Sequence, residues 1–338
     1  MPGMMGEGTG RRNGKTADGG PEEWPGDRTG GGDKPLVEHN RRQTNMRMQG
    51  RRESTNVRDI RGRRGGKMVG GLGLGGLALV ALFAYMTGGN PLNAVLNAVM
   101  GGGAGGTAVQ QDAAEEYAPS AEEQELAKFS RQILAGTEDV WEGIFARMGR
   151  TYESPTLVLF TDAVQSGCGG ASKQTGPFYC SADKCLYIDL SFFSNMRREL
   201  GADGDFAYAY VIGHEVGHHV QNQLGTLGEA HRQMAGMDKE LANRISVRLE
   251  LQADFLAGVW AHHDNARFGS LEDGDIEEAI RCAEVIGDDY LQKKARGYVQ
   301  PESFTHGKSS SRMKWFKKGL VSGDLNDGDT FSVPFGEL

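Results

Sequence analysis

Two histidines four positions apart, His214 and His218, restrict the fold of this chain more than any other pattern in its 338 residues. They lie in residues 204–224, GDFAYAYVIGHEVGHHVQNQL, an apolar run of helical length that Gly225 follows. Because residues four apart share one face of a helix, both imidazoles would point the same way and could hold one metal ion. Glu215 would then lie near a water on that metal without being a ligand. The H-E-x-x-H pattern is typical of zinc sites in which the Glu is the general base.

A zinc site of this type needs a third protein ligand. The extended pattern H-E-x-x-H-x-x-G-x-x-H is excluded, because the chain has Gln221 and Leu224 at the last two defined positions. A second apolar run, residues 246–260, carries Glu250 and Asp254 four apart on one helical face. Glu250 is predicted to complete the ligand set, and Asp254 to accept the free ring N–H of a ligating histidine. The alternative for both carboxylates is a solvated face or an ion pair with a neighbouring arginine.

His306 is a second catalytic candidate beside Glu215. It lies in SFTHGKSSSRMKWF, close to a predicted helix start at Ser309 or Ser310. From there its ring could donate a hydrogen bond to the oxyanion of a transition state. The alternative for His306 is a surface loop residue outside the site.

Residues 121–338 have the pattern of a globular domain, and about 220 residues can bury a sizeable core. Apolar residues recur there at helical spacing, and two short apolar runs bounded by turn residues are of β type. A few strands followed by helices indicate an α+β fold with a small sheet. The predicted helices span 122–148 (one or two helices), 204–224, 238–261, 275–294 and 309–320, and the predicted strands span 156–160 and 186–190.

Charge divides the chain into two unlike parts. Residues 1–67 hold 15 Lys+Arg and 9 Asp+Glu, a balance of +6, whereas the rest of the chain has a balance of −14. The acidic part lacks the positive charge that binding to phosphates requires, so a nucleic-acid-binding domain is disfavoured. Residues 1–67 have almost no apolar periodicity, and we therefore expect them to be a disordered basic tail.

Residues 68–86, MVGGLGLGGLALVALFAYM, carry no charge. A helix that crosses a bilayer needs about 20 apolar residues, so we expect one transmembrane anchor here. Basic residues precede this run and none follows it until Lys128, so the positive-inside rule predicts a cytoplasmic tail at 1–67. A cleaved signal peptide is the alternative. The Gly-rich residues 87–120 are expected to link the anchor to a periplasmic or extracellular domain at 121–338.

Together, these motifs resemble those of the predicted neutral zinc metallopeptidases of bacteria, the YpfJ-type proteins. The resemblance covers nearly all of 121–338 and the short basic stretch that precedes 68–86. The stretches that carry it include GRRESTNVRD at 50–59, SGCGGA at 166–171, GPFYC at 176–180, LGADGDFAYAYVIGHEVGHHVQNQLG at 200–225, SVRLELQAD at 246–254 and PESFTHGKSSSRMKWFKKGLVSGD at 301–324.

The resemblance implies a membrane-anchored protein with a zincin-like domain. It implies zinc on His214, His218 and Glu250, with Glu215 as the catalytic residue. It implies a reaction class and no particular substrate.

Four cysteines lie in 121–338, and disulfides persist outside the cytoplasm, where the topology argument puts this part of the chain. Four cysteines allow three pairings. Cys168 and Cys180 flank a Gly-rich loop and match the resembled family, so we expect them to be bonded. Cys185 and Cys282 are then left as a second disulfide or as two buried thiols.

The predicted function is zinc-dependent hydrolysis of peptide bonds, by a metalloendopeptidase at the outer face of the bacterial cytoplasmic membrane. Its partners would be a peptide or protein substrate and the membrane, and no nucleic acid. One alternative is a zinc-binding scaffold protein of the cell envelope without turnover. A weaker alternative is zinc-dependent hydrolysis of a non-peptide amide in the cell wall.

Overall fold

The structure is a computed structural model that describes residues 46–62 and 117–338. Both stretches belong to one compact unit. The strands in them are β1 Val57–Asp59, β2 Thr156–Phe160, β3 Ala163–Ser166, β4 Gly169–Ser172, β5 Phe178–Cys180 and β6 Cys185–Asp189. The helices are α1 Ala121–Arg147, α2 Ser191–Asn195, α3 Asp205–Leu224, α4 Thr226–Met234, α5 Lys239–Phe268, α6 Asp275–Val285, α7 Asp288–Arg296 and α8 Ser309–Ser322. The α+β prediction is confirmed.

A four-stranded sheet with the order β1-β2-β6-β5 lies beside the helices, and β3 and β4 form a separate hairpin. β1, β2 and β6 are parallel, whereas β5 is antiparallel to β6 and forms one edge of the sheet. The buried faces of β2 and β6 carry Leu157, Leu159, Leu186 and Ile188, which join the main core. Both predicted strands therefore exist, and the sheet places its β5 edge next to α3, with which β5 makes direct contact.

Helices α3 and α5 form the centre of the domain, together with α8, which packs along α5. Helix α3 ends at Gly225, whose φ of 89° is the left-handed conformation that glycine adopts without strain. Helix α5 is longer than predicted. It begins after Asp238, whose side chain caps the backbone N–H of Leu241, and it continues to Gly269 with Trp260 and Asp264 still buried.

The predicted helix 275–294 is two helices, α6 and α7, with a break at Gly287. A Cβ atom on Gly287 would lie 2.5 Å from the backbone nitrogen of Ser309, so the first residue of α8 packs directly against the break. Asp288, the first residue of α7, is buried there. The break matters for function because it brings the loop before α8 next to the start of α7.

The expectation of disorder throughout 1–67 is wrong for residues 46–62. β1 pairs with β2, and the side chain of Met46 is buried. Arg51 forms a two-pronged ion pair with Asp264 on α5, in which the two side chains are 7% and 1% exposed. Composition misses this because the segment contributes few apolar groups of its own, and its polar groups are satisfied by buried partners on other elements. Residues 1–45 and 63–67 lie outside the described residues.

The pairing of β1 with β2 bears on the expected membrane topology. A single crossing between residues 62 and 117 would put the two strands on opposite sides of a membrane, where they could not pair. The expected combination of a cytoplasmic 1–67 and an external 121–338 is therefore incompatible with the folded domain. The expected anchor 68–86 and nearly all of the linker 87–120 lie outside the described residues.

No helix within residues 46–62 and 117–338 is long and apolar enough to cross a membrane.

The cysteine predictions have different outcomes. The Cys168–Cys180 disulfide is present and closes the loop that contains β4. Of the two alternatives for Cys185 and Cys282, the second disulfide is wrong, because both residues are buried free thiols. Cys185 lies in the small cluster on one face of the sheet, with its Sγ 3.2 Å from Arg58, whereas Cys282 on α6 belongs to the main helical core. The sheet and its neighbouring helices separate the two thiols.

Candidate metal centre

Helices α3 and α5 bring together the three residues predicted to bind zinc. Nε2 of His214 lies 3.2 Å from Oε2 of Glu250, and Nε2 of His218 lies 3.5 Å from Oε1 of the same carboxylate. One ligand atom from each of the three residues lies within 4.8 Å of the others. The two helices can approach this closely because residue 217 is a glycine. A Cβ atom on Gly217 would lie only 2.9 Å from the backbone oxygen of Ala253.

The spacing of these atoms fits zinc. In a tetrahedral site with ligand bonds of about 2.1 Å, neighbouring ligand atoms are about 3.4 Å apart. The observed separations of 3.2 and 3.5 Å, each measured to a different oxygen of Glu250, are close to this value. Two imidazoles and one carboxylate are also a ligand set that zinc enzymes use, with a fourth position left for water.

Two of the three ligands, Glu250 and His218, are already in charge states that suit a cation. Although burial opposes ionisation of Glu250, its interactions with His218, His306 and His214 outweigh this effect and hold the pKa of Glu250 well below its usual range. Burial lowers the pKa of His218 to about 4, so its ring is neutral at physiological pH. A carboxylate anion and a neutral imidazole are the forms that bind a metal. Although burial lowers it, Asp254 and Glu250 raise the pKa of His214 to about 10, so this ring gives up a proton when a metal binds.

Asp254 occupies the position that the sequence predicts, behind His214. Its Oδ1 lies 2.8 Å from Nδ1 of His214, and the residue has no exposed surface. A carboxylate at Nδ1 assigns the ring proton to that nitrogen and leaves Nε2 free for a metal. Burial opposes ionisation of Asp254, but the charges of Arg312 and His214 outweigh it and lower the pKa of Asp254 to about 2.

Gln221 plays the same part for His218, and the sequence analysis missed it. Oε1 of Gln221 lies 2.8 Å from Nδ1 of His218. The amide nitrogen of Gln221 donates to the backbone oxygen of Leu249, at 2.7 Å, and this fixes which end of the amide faces the histidine. The spacing i, i+3 on one helix was the available signal, since residues three apart are neighbours on a helix surface.

Glu215 lies beside the cluster and outside the ligand group. Burial raises the pKa of Glu215 to about 7, while the charge of His214 acts in the opposite direction. The backbone of Tyr179 in β5 lies close enough to the Glu215 carboxylate to lower its pKa in turn. The side chain of Tyr179 holds the same strand to α3, because its hydroxyl lies 3.0 Å from Nδ1 of His219 and accepts from Asn222 at 2.9 Å.

His306 lies in a half-buried loop near Glu250, whose charge helps to raise the pKa of His306 against the effect of burial. The loop is built around Asp288. One oxygen of this carboxylate accepts the backbone N–H groups of Thr305, His306 and Gly307, at 2.8, 2.6 and 2.9 Å. The other oxygen lies 3.4 Å from Nδ1 of His306. His306 is therefore an oriented group of the site, although it is not in the ligand group.

Known proteins are similar to this chain in sequence. The model of the family described as "Putative neutral zinc metallopeptidase" matches residues 46–331. The chain belongs to this family. Zinc is accordingly its cofactor, and the described residues offer one group of His, Cys, Asp and Glu that fits a metal, namely His214, His218 and Glu250. The match begins at residue 46, where the described structure also begins.

Two relatives of this zinc metallopeptidase illustrate the similarity. "Uncharacterized protein YpfJ" of Escherichia coli K12 is 46% identical over 290 residues, which is 85% of this chain and 99% of that protein. "Uncharacterized protein Mb2605" of Mycobacterium bovis is 43% identical over 192 residues, which is 54% of this chain and 64% of that protein. No solved structure gives a significant match.

Proposed function

We propose that this zinc metallopeptidase is an endopeptidase that cleaves a peptide or protein chain. The observation that carries the proposal is the position of Glu215. It lies between His214 and His218 in the sequence and outside their ligand group, yet it is near enough to His214 and Glu250 for their charges to shift its pKa. A carboxylate in that place is free to handle protons while the other three residues hold the metal.

Zinc, when bound, lowers the pKa of a coordinated water to about 7 and polarises a carbonyl oxygen. The Glu215 carboxylate accepts the proton of the attacking water and then passes it to the leaving amine.

The β5 edge supports an extended peptide as the substrate. Among the described strands, β5 is the last in the order of the sheet, so it pairs with β6 on one side only. Its contact with α3, and the effect of the Tyr179 backbone on the pKa of Glu215, put this edge strand close to Glu215. Edge strands present unpaired backbone groups, and a peptide can add to them as another strand. A substrate held in this way would have its backbone beside Glu215.

His306 is proposed to donate a hydrogen bond to the oxyanion that forms as the carbonyl is attacked. Asp288 fixes the position of His306, because its carboxylate accepts three backbone N–H groups of the loop and lies 3.4 Å from Nδ1 of the His306 ring. A His306→Gln variant should keep zinc and substrate affinity, measured as KM, and lose about 10²–10³-fold in kcat. Unchanged kcat in zinc-loaded His306→Gln would remove His306 from the mechanism.

We further propose that the folded domain lies outside the cytoplasm, at the outer face of the bacterial cytoplasmic membrane, and that residues 68–86 attach it there by contact with lipid, without a single crossing that would separate β1 from β2. The Cys168–Cys180 disulfide supports an oxidising compartment. The absence of charge from 68–86 supports contact with lipid. In this proposal residues 46–62 lie on the same side as 117–338, since β1 and β2 pair.

The experiment that tests the proposed reaction uses the full-length protein and a broad pool of peptides. Mass spectrometry should show internal cleavage that disappears with a chelator and returns when zinc is added. If the zinc-loaded protein leaves all peptides intact, the envelope scaffold is favoured. If it cuts cell-wall amides and spares peptides, the weaker hydrolase alternative is favoured.

A further inference from the structure

A buried arginine, Arg312, lies behind the ligand group, with its Nη2 3.4 Å from Nδ1 of His214. Arg312 is in the first turn of α8, and its side chain is 3% exposed. Its Nε donates to Oδ2 of Asp254 and its Nη2 donates to Oδ1 of Asp254, both at 2.8 Å. A planar guanidinium that binds both oxygens of a carboxylate fixes the plane of that carboxylate as well as its position.

The orientation of Asp254 decides the orientation of His214. Oδ1 accepts from three groups, which are Nη2 of Arg312, Nδ1 of His214 and the hydroxyl of Tyr210 at 2.6 Å. Oδ2 accepts from Arg312. Arg312 is thus the one partner among these that contacts both oxygens. Rotation of the carboxylate would move Oδ1 away from Nδ1 and release the ring that presents Nε2 to the metal.

We propose that Arg312 is a positioning residue of the zinc site, which acts by holding the Asp254 carboxylate in the plane that orients His214. Zinc affinity then depends on α8, a helix that supplies no ligand. The inference rests on the proposed metal site, but its measurement is zinc binding and not peptide cleavage. The role of Arg312 can therefore be disproved while the proposed peptidase function stands. It can also be confirmed if no substrate is found.

The test compares two lysine substitutions in the full-length protein. Arg312→Lys keeps the charge and removes the planar fork. Arg51→Lys makes the same change in another buried arginine–aspartate pair, Arg51–Asp264, whose aspartate is also on α5. The dissociation constant for zinc is measured by competition with a chromophoric chelator, and the absorption spectrum of the Co²⁺-loaded protein reports the ligand geometry.

Arg312→Lys should weaken zinc binding by about 10-fold or more and alter the Co²⁺ spectrum, in line with the 10–100-fold effect of losing a partner behind a ligand. Arg51→Lys should lower the melting temperature and leave both readouts as in the wild type. In the Asp254→Asn background, Arg312→Lys should add little further loss. Equal weakening by both lysine variants, or the same loss with and without Asp254, would overturn the proposal.

Tyr210→Phe keeps the test decisive if Arg312→Lys does not fold. Because Arg312 holds both oxygens of Asp254, loss of the Tyr210 hydroxyl should leave zinc affinity within about threefold of the wild type, well under the loss expected when an essential outer partner goes. A loss of 10-fold or more in Tyr210→Phe would assign the orientation of Asp254 to Tyr210 and contradict the role of Arg312.

Discussion

Oε1 of Gln221 lies 2.8 Å from Nδ1 of His218, the residue about one turn before it on the same helix. The two groups form a local counterpart to the contact of Asp254 with His214, which joins two helices. Each ligand histidine therefore has a fixed acceptor behind it, one neutral and one charged. Both acceptors leave Nε2 as the nitrogen that faces the site.

Gln221→Leu should lower zinc affinity by about 10-fold, since partners behind a ligand are typically worth 10–100-fold in metal binding. The ring of His218 would lose its acceptor and could turn. Chelator competition measures the affinity. Gln223→Leu, two residues along the same helix and outside the contacts of His218, is the matched control and should bind zinc as the wild type does.

Removal of any ligand should empty the site. We expect one zinc per chain in the wild type and strong loss of zinc in His214→Ala, His218→Ala and Glu250→Ala. Zinc that binds only the folded state also stabilises it, so the wild type should melt at a lower temperature after chelation. Metal analysis and thermal melts check this, and full zinc occupancy in Glu250→Ala would refute the ligand set.

Much of this site could be predicted from the sequence because it depends on local helical geometry. The spacings of His214 with His218 and of Glu250 with Asp254 each place two groups on one face of one helix. Arg312 and Asp288 could not be found in this way. Their contacts join elements far apart in the chain, and only the packing of α8 on α5 and the break between α6 and α7 bring them to the site.

The same difference between local pattern and long-range contact explains the errors in the fold prediction. β2 and β6 have apolar runs of their own, so their sequences predict strands. β1 reads Val57–Asp59, with little apolar content, and becomes a strand because it pairs with the edge of β2. Pairing of Cys185 with Cys282 likewise depended on a distance between elements, which no spacing in the sequence contains.

Glu278 should make stability depend on pH. Burial raises the pKa of Glu278 to about 7 in the folded protein, against a backbone hydrogen bond from Phe206 that acts the other way. A raised pKa means that the folded state favours the protonated group. The stability from this group is therefore complete below its unfolded pKa of about 4.3 and is lost as the pH rises to about 7.

The measurement compares the free energy of unfolding of the wild type with that of Glu278→Gln between pH 4 and 8. The difference between the two proteins should move in favour of the glutamine variant as the pH rises. Glu277→Gln, on the exposed side of the same helix, is the matched control. A flat difference in Glu278→Gln would mean that Glu278 has no raised pKa.

Residues 46–62 and 117–338 should be found on the same side of the membrane. Cysteines introduced at exposed Gln49 and Glu337 can be tested in intact cells with a thiol reagent that does not cross membranes. The native free thiols, Cys185 and Cys282, are buried and should give little background. Both introduced cysteines should react if the domain is outside the cytoplasm. Reaction at only one of them would show that β1 and β2 are separated by the membrane.

The most direct test of the account is the cleavage rate and the zinc content of Glu215→Gln, measured on the same samples as the wild type. Glutamine has nearly the size of glutamate and replaces a residue outside the ligand group, so zinc content should be unchanged. The amide cannot accept a proton, and the loss of general-base catalysis should lower the rate by about 10²–10⁴-fold. Cleavage at the wild-type rate by the zinc-loaded Glu215→Gln protein would contradict the mechanism.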